Sequence, residues 1–283
     1  MRFIHTFYSK PLFENKFNKF ETALKFVLTN YTLSAQYVKK FGHNIILYTD
    51  TKGKELLSFI PYDDIIVLKD IEHNKHFAAQ FKFKALEHYQ YGDVLIDGDC
   101  FLRKEEAFKK VADDKYDVIY SFFEPYRYTL QGDMPKYYTK LFSVLRKYKF
   151  ESPYKLPKVW KDMGWMNTSL MKFNNLSLLH EYINQYNKHK ELLKNANFED
   201  TWPDIIIEQY FLTLLCKDKR ALAMVEDFYY DKNDNQKALD LGFTHLGKAK
   251  VSQQQWVSDT LFKENPILWN TCRAKLKTFK IEL

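Results

Sequence analysis

Hydrophobic and polar positions along the chain alternate between two periods. Arg2 to Tyr8 is a short aromatic, β-prone run that ends at Ser9-Lys10-Pro11, which predicts a strand and a loop. Beyond it, Phe17, Phe20, Leu24, Val27, Tyr31, Ala35 and Val38 recur at three- and four-residue steps, the spacing of one helical face, and Phe41-Gly42 supplies the stop. Asn44 to Tyr48 is a compact apolar run closing on Thr49-Asp50, Lys54 to Ile60 has helical spacing, and Asp64 to Leu68 is strand-like. A helix is predicted over Phe77 to Gln90, with Phe77, Phe81, Ala85, His88 and Tyr89 on one side and Tyr91-Gly92 at its end. The strand Asp93 to Ile96 follows, then a helix over Lys104 to Ala112 and a strand over Asp117 to Phe122.

The second half is less regular. Helical spacing covers Pro135 to Tyr148, Leu176 to Leu193, and Trp202-Pro203-Asp204 through Leu215, where a proline in the first turn costs no hydrogen bond. Gly164 to Phe173 is predicted as a strand or hairpin, Gly242 to Lys250 as a glycine-containing loop, and the remainder as a helix capped by Ser252 and a C-terminal helix. Strands alternating with helices predict an α/β fold, a mostly parallel mixed sheet flanked by helices.

Composition narrows the class. With 46% hydrophobic and 17% aromatic residues and only eight Gly and eight Pro, the 283-residue chain has a full core and no low-complexity linker. No segment approaches the roughly 20 apolar residues of a membrane helix, and the first ten residues lack a secretory apolar run. Three scattered cysteines, Cys100, Cys216 and Cys272, show no paired metal spacing and fit a reducing compartment, so a cytoplasmic protein is expected. The net charge of +7 suits an anionic partner, but the lysines are spread along the chain, so no nucleic-acid partner is expected. Arg273, Lys275, Lys277 and Lys280 make the C-terminal helix basic, a solvated face or a stripe for peripheral membrane contact.

Candidate chemistry centres on Asp97-Gly98-Asp99. Two carboxylates leave the carboxyl end of a strand, where open α/β sheets bind ligands, separated by a residue free in its backbone angles. That arrangement suits a hard divalent cation, Mn2+ or Mg2+, bound by a few carboxylates together with substrate phosphates. The stretch Phe243-Thr244-His245-Leu246-Gly247-Lys248-Ala249-Lys250 offers an imidazole for the metal, a glycine that lets backbone approach phosphate, and lysines to offset diphosphate charge. Glu208 stands among Ile205, Ile207 and Tyr210, where a carboxylate needs a partner. Trp165 and Trp202 are core aromatics or sugar-stacking platforms.

In order along the chain, these segments resemble the GT-A-fold glycosyltransferases of the glycogenin and lipopolysaccharide galactosyltransferase type and the related mannosyltransferase-like group with a DxD motif. Lys84-Ala85-Leu86 through Asp97-Gly98-Asp99 is similar to the families' basic helix, turn, strand and DxD; Gly164 to Phe173 resembles their pocket-lining Asn segment; Trp202 to Gln209 resembles the segment placing an acid and Gln near the sugar; and the His245 loop resembles their diphosphate clamp. The resemblance implies a GT-A domain over 1–250 and a helical extension over 251–283. It implies a metal held by Asp97, Asp99 and His245, a nucleotide contacted by Thr6, Tyr8, Lys84, Asp97, Gly247 and Lys248, and Asn167, Glu208, Gln209 and Lys250 in catalysis. The donor would be a nucleotide-diphosphate sugar and the acceptor a glycan, a lipid-linked sugar or a protein, with retention of configuration favoured. The clamp departs from the family by one residue fewer between His245 and Gly247, and Val251-Ser252 stands where Pro-Trp is usual. Because Gly247 to Lys250 keeps the family step, Lys250 is expected to bear more of the leaving-group charge than Lys248. The rival readings are a metal-dependent phosphoryl-transfer enzyme, for which no further acidic cluster is evident, and a non-catalytic carbohydrate- or nucleotide-binding relative.

Overall fold

A computed structural model describes residues 1–14, 20–69, 71, 77, 79–125, 134–147, 164–196, 203, 205–226, 232–247 and 252–283. In chain order its elements are β1 (Arg2–Phe7), α1 (Lys10–Phe13), α2 (Phe20–Lys40), β2 (Asn44–Thr49), α3 (Thr51–Leu57), β3 (Asp64–Val67), α4 (Gln80–Leu86), β4 (Asp93–Ile96), β5 (Cys100–Leu102), α5 (Glu105–Val111), β6 (Val118–Tyr120) and β7 (Phe123–Pro125). There follow α6 (Met134–Lys147), β8 (Gly164–Met166), β9 (Leu170–Phe173), α7 (Leu176–Leu193), a π-helical turn (Ile205–Tyr210), α8 (Phe211–Leu215), β10 (Ala221–Ala223), α9 (Lys232–Leu241), β11 (Phe243–His245), α10 (Gln254–Glu264) and α11 (Pro266–Lys277). The fold is α/β. The described strands include a four-stranded sheet in one compact unit, in the order β4-β1-β2-β3, and three strands in the other, in the order β10-β6-β9.

The first unit comprises Met1–Glu72, Gly92–Ala112 and Leu239–Leu283. The strands β4, β1, β2 and β3 of its sheet are parallel. β4 is buried throughout, as expected of a parallel strand covered on both faces. Arg2 and Asp93 stand opposite each other in the β1–β4 register, and a two-pronged ion pair of 2.7 and 2.6 Å fixes that register at the start of both strands. α2 buries Leu24, Val27, Leu28, Leu33, Tyr37 and Val38. The C-terminal helices, expected as an extension to a 1–250 domain, lie in this unit on α2: the Gln254 amide donates to Thr29 Oγ1 at 2.9 Å, and the Cys272 sulfur stands 3.4 Å from Thr32 Oγ1.

The second unit comprises His73–Tyr91 and Asp113–Ala238. β6 pairs parallel with β10 and antiparallel with β9, so the sheet is mixed. α7 begins at an Asn175 cap that accepts from Leu178 N at 3.1 Å, and it buries Tyr182 and Tyr186 against Phe83 of α4, the Phe83 and Tyr186 rings stacking 3.6 Å apart at 9°.

Several boundaries differ from the sequence pattern for local reasons. α3 starts three residues early because Asp50, at the strand end, turns its carboxylate onto Gly53 N at 2.8 Å and caps the helix. Gly164 to Phe173 is no hairpin: β8 pairs with β7 and β9 with β6, leaving Asn167 to Ser169 as a crossing between two partners. The segment running to Leu215 opens as a π-helical turn at Ile205, and the cap of α10 is Gln253 rather than Ser252. Among the described residues no helix is long and apolar enough to cross a membrane.

Candidate functional site

In the first unit β4 ends at Ile96 and the chain turns through Asp97-Gly98-Asp99 into β5, closed by Cys100 N donating to Asp97 O at 3.0 Å. Gly98 is required there by close approach, since a β-carbon would stand 2.4 Å from ring atoms of Tyr31. Tyr31 comes from α2, and its phenol donates to Thr6 O at 2.7 Å. Burial raises the Tyr31 phenol well above its ordinary range, and the negative charges of Asp97 and Asp99 raise it further, so both carboxylates act on this ring.

His245 arrives by strand pairing. β11, which the sequence pattern put in a loop, lies antiparallel to β5 with His245 opposite Cys100, and Leu246 N donates to Asp99 O at 3.1 Å. His245 Nε2 therefore stands 3.7 Å from Asp99 Oδ2, and both side chains are nearly inaccessible, at 8% and 5% exposure. Gly247 follows with φ 46°, in the left-handed region that favours glycine. Lys248 and Lys250 lie outside the described residues, as do Trp202 and Asp204. Thr6 is the penultimate residue of β1, which runs parallel to β4, near the same edge as Asp97; Tyr8 is half-buried, and burial followed by the charges of Asp50 and Glu14 raises its phenol. The structure thus brings Asp99 and His245 together and sets Thr6 beside them through Tyr31. Among the described residues no group of three or more His, Cys, Asp or Glu side chains stands close enough to hold a metal ion.

The second unit holds a separate polar cluster. Lys82 Nζ lies 2.9 Å from Glu208 Oε1 and 3.2 Å from Thr168 O, while Thr168 Oγ1 donates to the same Glu208 oxygen at 2.6 Å. The Lys82 and Glu208 side chains are only 12% and 10% exposed. Glu208 sits in the π-helical turn, a geometry frequent at functional sites, and its partners answer the question that a carboxylate among isoleucines raises. Gln209 is half-buried, and its carbonyl accepts from Thr213, whose oxygen takes Met166 N at 2.8 Å and so ties the turn to β8.

Asn167 is 6% exposed; its Nδ2 donates to Glu124 Oε1 at 2.9 Å and its Oδ1 accepts from Ser169 N at 3.0 Å. The Trp165 indole donates to the other Glu124 oxygen, and Trp165, at 4% exposure, is a buried side chain rather than an open stacking platform. Lys84 does not face this cluster. It is 42% exposed and pairs with Glu87 on the outer side of α4, two residues from the lysine that turns inward. Sequence reasoning missed Lys82, Thr168, Glu124 and Tyr31 as site residues; for Lys82 the available signal was its place between Phe81 and Phe83 in a short apolar helix.

A family model described as a family of unknown function (DUF6734) matches residues 1–272. The chain belongs to that family. No curated protein matches this DUF6734 member. Among solved structures it is similar to the galactosyltransferase LgtC in complex with donor and acceptor sugar analogues, at 10% identity, covering 79% of this chain and 73% of that one, with a TM-score of 0.42. It is likewise similar to an active-site mutant of LgtC, at 10% identity, 79% and 72% coverage and a TM-score of 0.42.

Proposed function

We propose that this protein is a GT-A-type glycosyltransferase that moves a sugar from a nucleotide-diphosphate sugar to a glycan, lipid-linked or protein acceptor, with a divalent metal ion. The observation that carries the reading is the Asp97-Gly98-Asp99 turn at the carboxyl edge of a parallel sheet, its second carboxylate buried 3.7 Å from His245. Two side chains from this pair, with Asp97 beside them in sequence, suit a cation that fills its remaining positions with phosphate oxygens and water; such ions commonly take one or two carboxylates plus substrate phosphates. Asp97, Asp99 and His245 would hold Mn2+ or Mg2+, which when bound would offset the charge of the leaving diphosphate.

The protein's own groups have complementary tasks. Thr6 near the end of β1 and Tyr8 just beyond it would contact the nucleotide, and Gly247 would allow backbone to approach phosphate. Lys250, with Lys248 beside it, would neutralise the departing diphosphate. Taken by itself, the second unit holds in Asn167, Gln209 and the Lys82–Glu208 pair donors and acceptors of the kind that would suit sugar hydroxyls. A carboxylate already paired to lysine is an acceptor for hydroxyls rather than a free base, which favours a retaining transfer in which the diphosphate oxygen takes the acceptor proton. The basic helix α11 is the part that would meet an anionic membrane surface if the acceptor is lipid-linked.

Calorimetry with UDP and GDP, with and without Mn2+, tests the reading. Asp97→Asn and Asp99→Asn are expected to abolish metal-dependent nucleotide binding while leaving thermal unfolding within a few degrees of the parent. Unchanged affinity in both would remove the metal assignment. Nucleotide binding with no sugar transfer or hydrolysis would point to the non-catalytic relative. Under saturating donor, Lys250→Ala is expected to lower turnover about 10²–10³-fold and Lys248→Ala less.

A further inference from the structure

Glu124 has no part in the motifs, yet it organises one side of the second unit's polar cluster. It lies in β7 directly across from Trp165 in β8, and its two oxygens are divided between two donors, Asn167 Nδ2 at 2.9 Å on one and the Trp165 indole on the other. Asn167 is held at its other end as well, its Oδ1 accepting Ser169 N at 3.0 Å. The carboxamide therefore cannot flip: a carboxylate accepts only from the nitrogen, and a backbone N–H donates only to the oxygen.

A carboxamide has two N–H donors and two acceptor lone pairs, and this arrangement uses one of each. The second N–H and the second lone pair are left with fixed directions on neighbouring atoms. That donor–acceptor pair matches two adjacent hydroxyls of a sugar, one offering its oxygen and the other its proton. Fixing it beforehand removes the rotamer entropy that a free asparagine would lose on binding.

We infer that Glu124 is a positioning residue that locks the Asn167 carboxamide in the orientation needed to grip a vicinal diol of a saccharide. The inference rests on the glycosyltransferase reading for the identity of the ligand, but not for the lock itself. Glu124→Gln is the informative variant, because a carboxamide at 124 can present its oxygen to only one of the two donors and must turn its own N–H groups on the other. If the indole keeps the oxygen, Asn167 is released.

Two measurements separate the inference from the reading on which it draws. Side-chain amide NMR of Asn167 in the ligand-free protein reports the lock directly: the resonances of the two Asn167 Nδ2 protons are expected to be distinct and slowly exchanging in the parent, and to shift and exchange faster in Glu124→Gln. Unchanged Asn167 signals overturn the inference whatever the protein binds. Calorimetry then compares UDP with UDP-glucose and UDP-galactose, and GDP with GDP-mannose, in the presence of Mn2+. Glu124→Gln is expected to weaken whichever intact nucleotide sugar the parent binds about tenfold and to leave the bare diphosphate unchanged. A cycle with Asn167→Ala guards against a general loss of fold: in the Asn167→Ala background Glu124→Gln is expected to cost nothing further, and additive losses overturn the inference. A parent that binds no nucleotide, with the Asn167 signals responding as expected, overturns the transferase reading and leaves the lock standing.

Discussion

At the scale of single residues, burial decides which of two neighbouring lysines matters. Lys82 and Lys84 differ by two positions on one short helix, yet Lys82 lies against Glu208 at 12% exposure while Lys84 pairs with Glu87 at 42%. Removing one partner of a buried ion pair leaves the other desolvated and unmatched, at a cost of about 3–5 kcal/mol, whereas an exposed pair contributes about 0–1 kcal/mol. Lys82→Ala is therefore expected to lower the urea midpoint substantially and Lys84→Ala to leave it nearly unchanged. Equal midpoints for the two variants would mean that the Glu208 site tolerates an unpaired carboxylate.

Burial has a second residue-scale effect at His5. The imidazole is fully enclosed in the first unit, between Tyr62 Oη at 2.9 Å and Ser34 Oγ at 3.0 Å, and its pKa is pushed down to about 3. In the unfolded chain the group takes up its proton near pH ~6.5. Between that value and about 3 the unfolded state binds more protons, so stability is lost as pH falls, at about 1.4 kcal/mol per pH unit. Unfolding free energies should approach this slope as pH falls below about 6.5, and His5→Gln should flatten it; an unchanged slope would assign the acid sensitivity to other groups.

At the scale of elements, the Asp97-Gly98-Asp99 turn depends on α2 as much as on β4. The Tyr31 ring lies over Gly98 and is held by its bond to Thr6 O and by edge contacts with His5 and Phe7. Gly98→Ala brings a methyl group to 2.4 Å from that ring, and overpacking of this kind costs about 1–3 kcal/mol. The expected result is a lower unfolding midpoint together with weaker nucleotide binding, because the turn and the ring must separate. A variant as stable as the parent would show that the turn is soft. The β8–β9 segment shows a similar dependence, since Asn167 to Ser169 is shaped by two strands with different partners rather than by a turn of its own.

At the scale of the whole molecule, all three cysteines are buried and none forms a disulfide. Burial pushes the Cys216 thiol up to about 12 and the Cys272 thiol to about 11, and Cys100 is fully enclosed in β5. Thiolate is the reactive form, so the folded protein should leave a chromogenic disulfide reagent unreacted at pH 8 and titrate all three thiols only in guanidinium chloride. Fast reaction of any one without denaturant would mean that its unit opens easily. Each of the two units has a polar cluster of its own: Asp99 with His245 in one, Glu208 with Lys82 and Asn167 with Glu124 in the other.

The sequence by itself determined the α/β alternation, because strands buried on both faces are continuous apolar runs and α2 and α7 are long enough for their periodicity to be unambiguous. It also determined that Asp97 and Asp99 leave a strand end, since Asp93 to Ile96 is bounded by Gly92 on one side and by the turn on the other. Short strands were another matter. β5, β7, β10 and β11 have three residues each, too few to carry a period, and exist because a partner strand completes their hydrogen bonds. Only tertiary structure could bring His245 to Asp99, through a ladder joining segments far apart in the chain, or turn Lys82 rather than Lys84 onto a carboxylate 126 residues away. Local pattern records which face of an element is apolar. Which charged group is turned inward depends on the partner that repays its desolvation, and that partner is fixed only when the chain has folded.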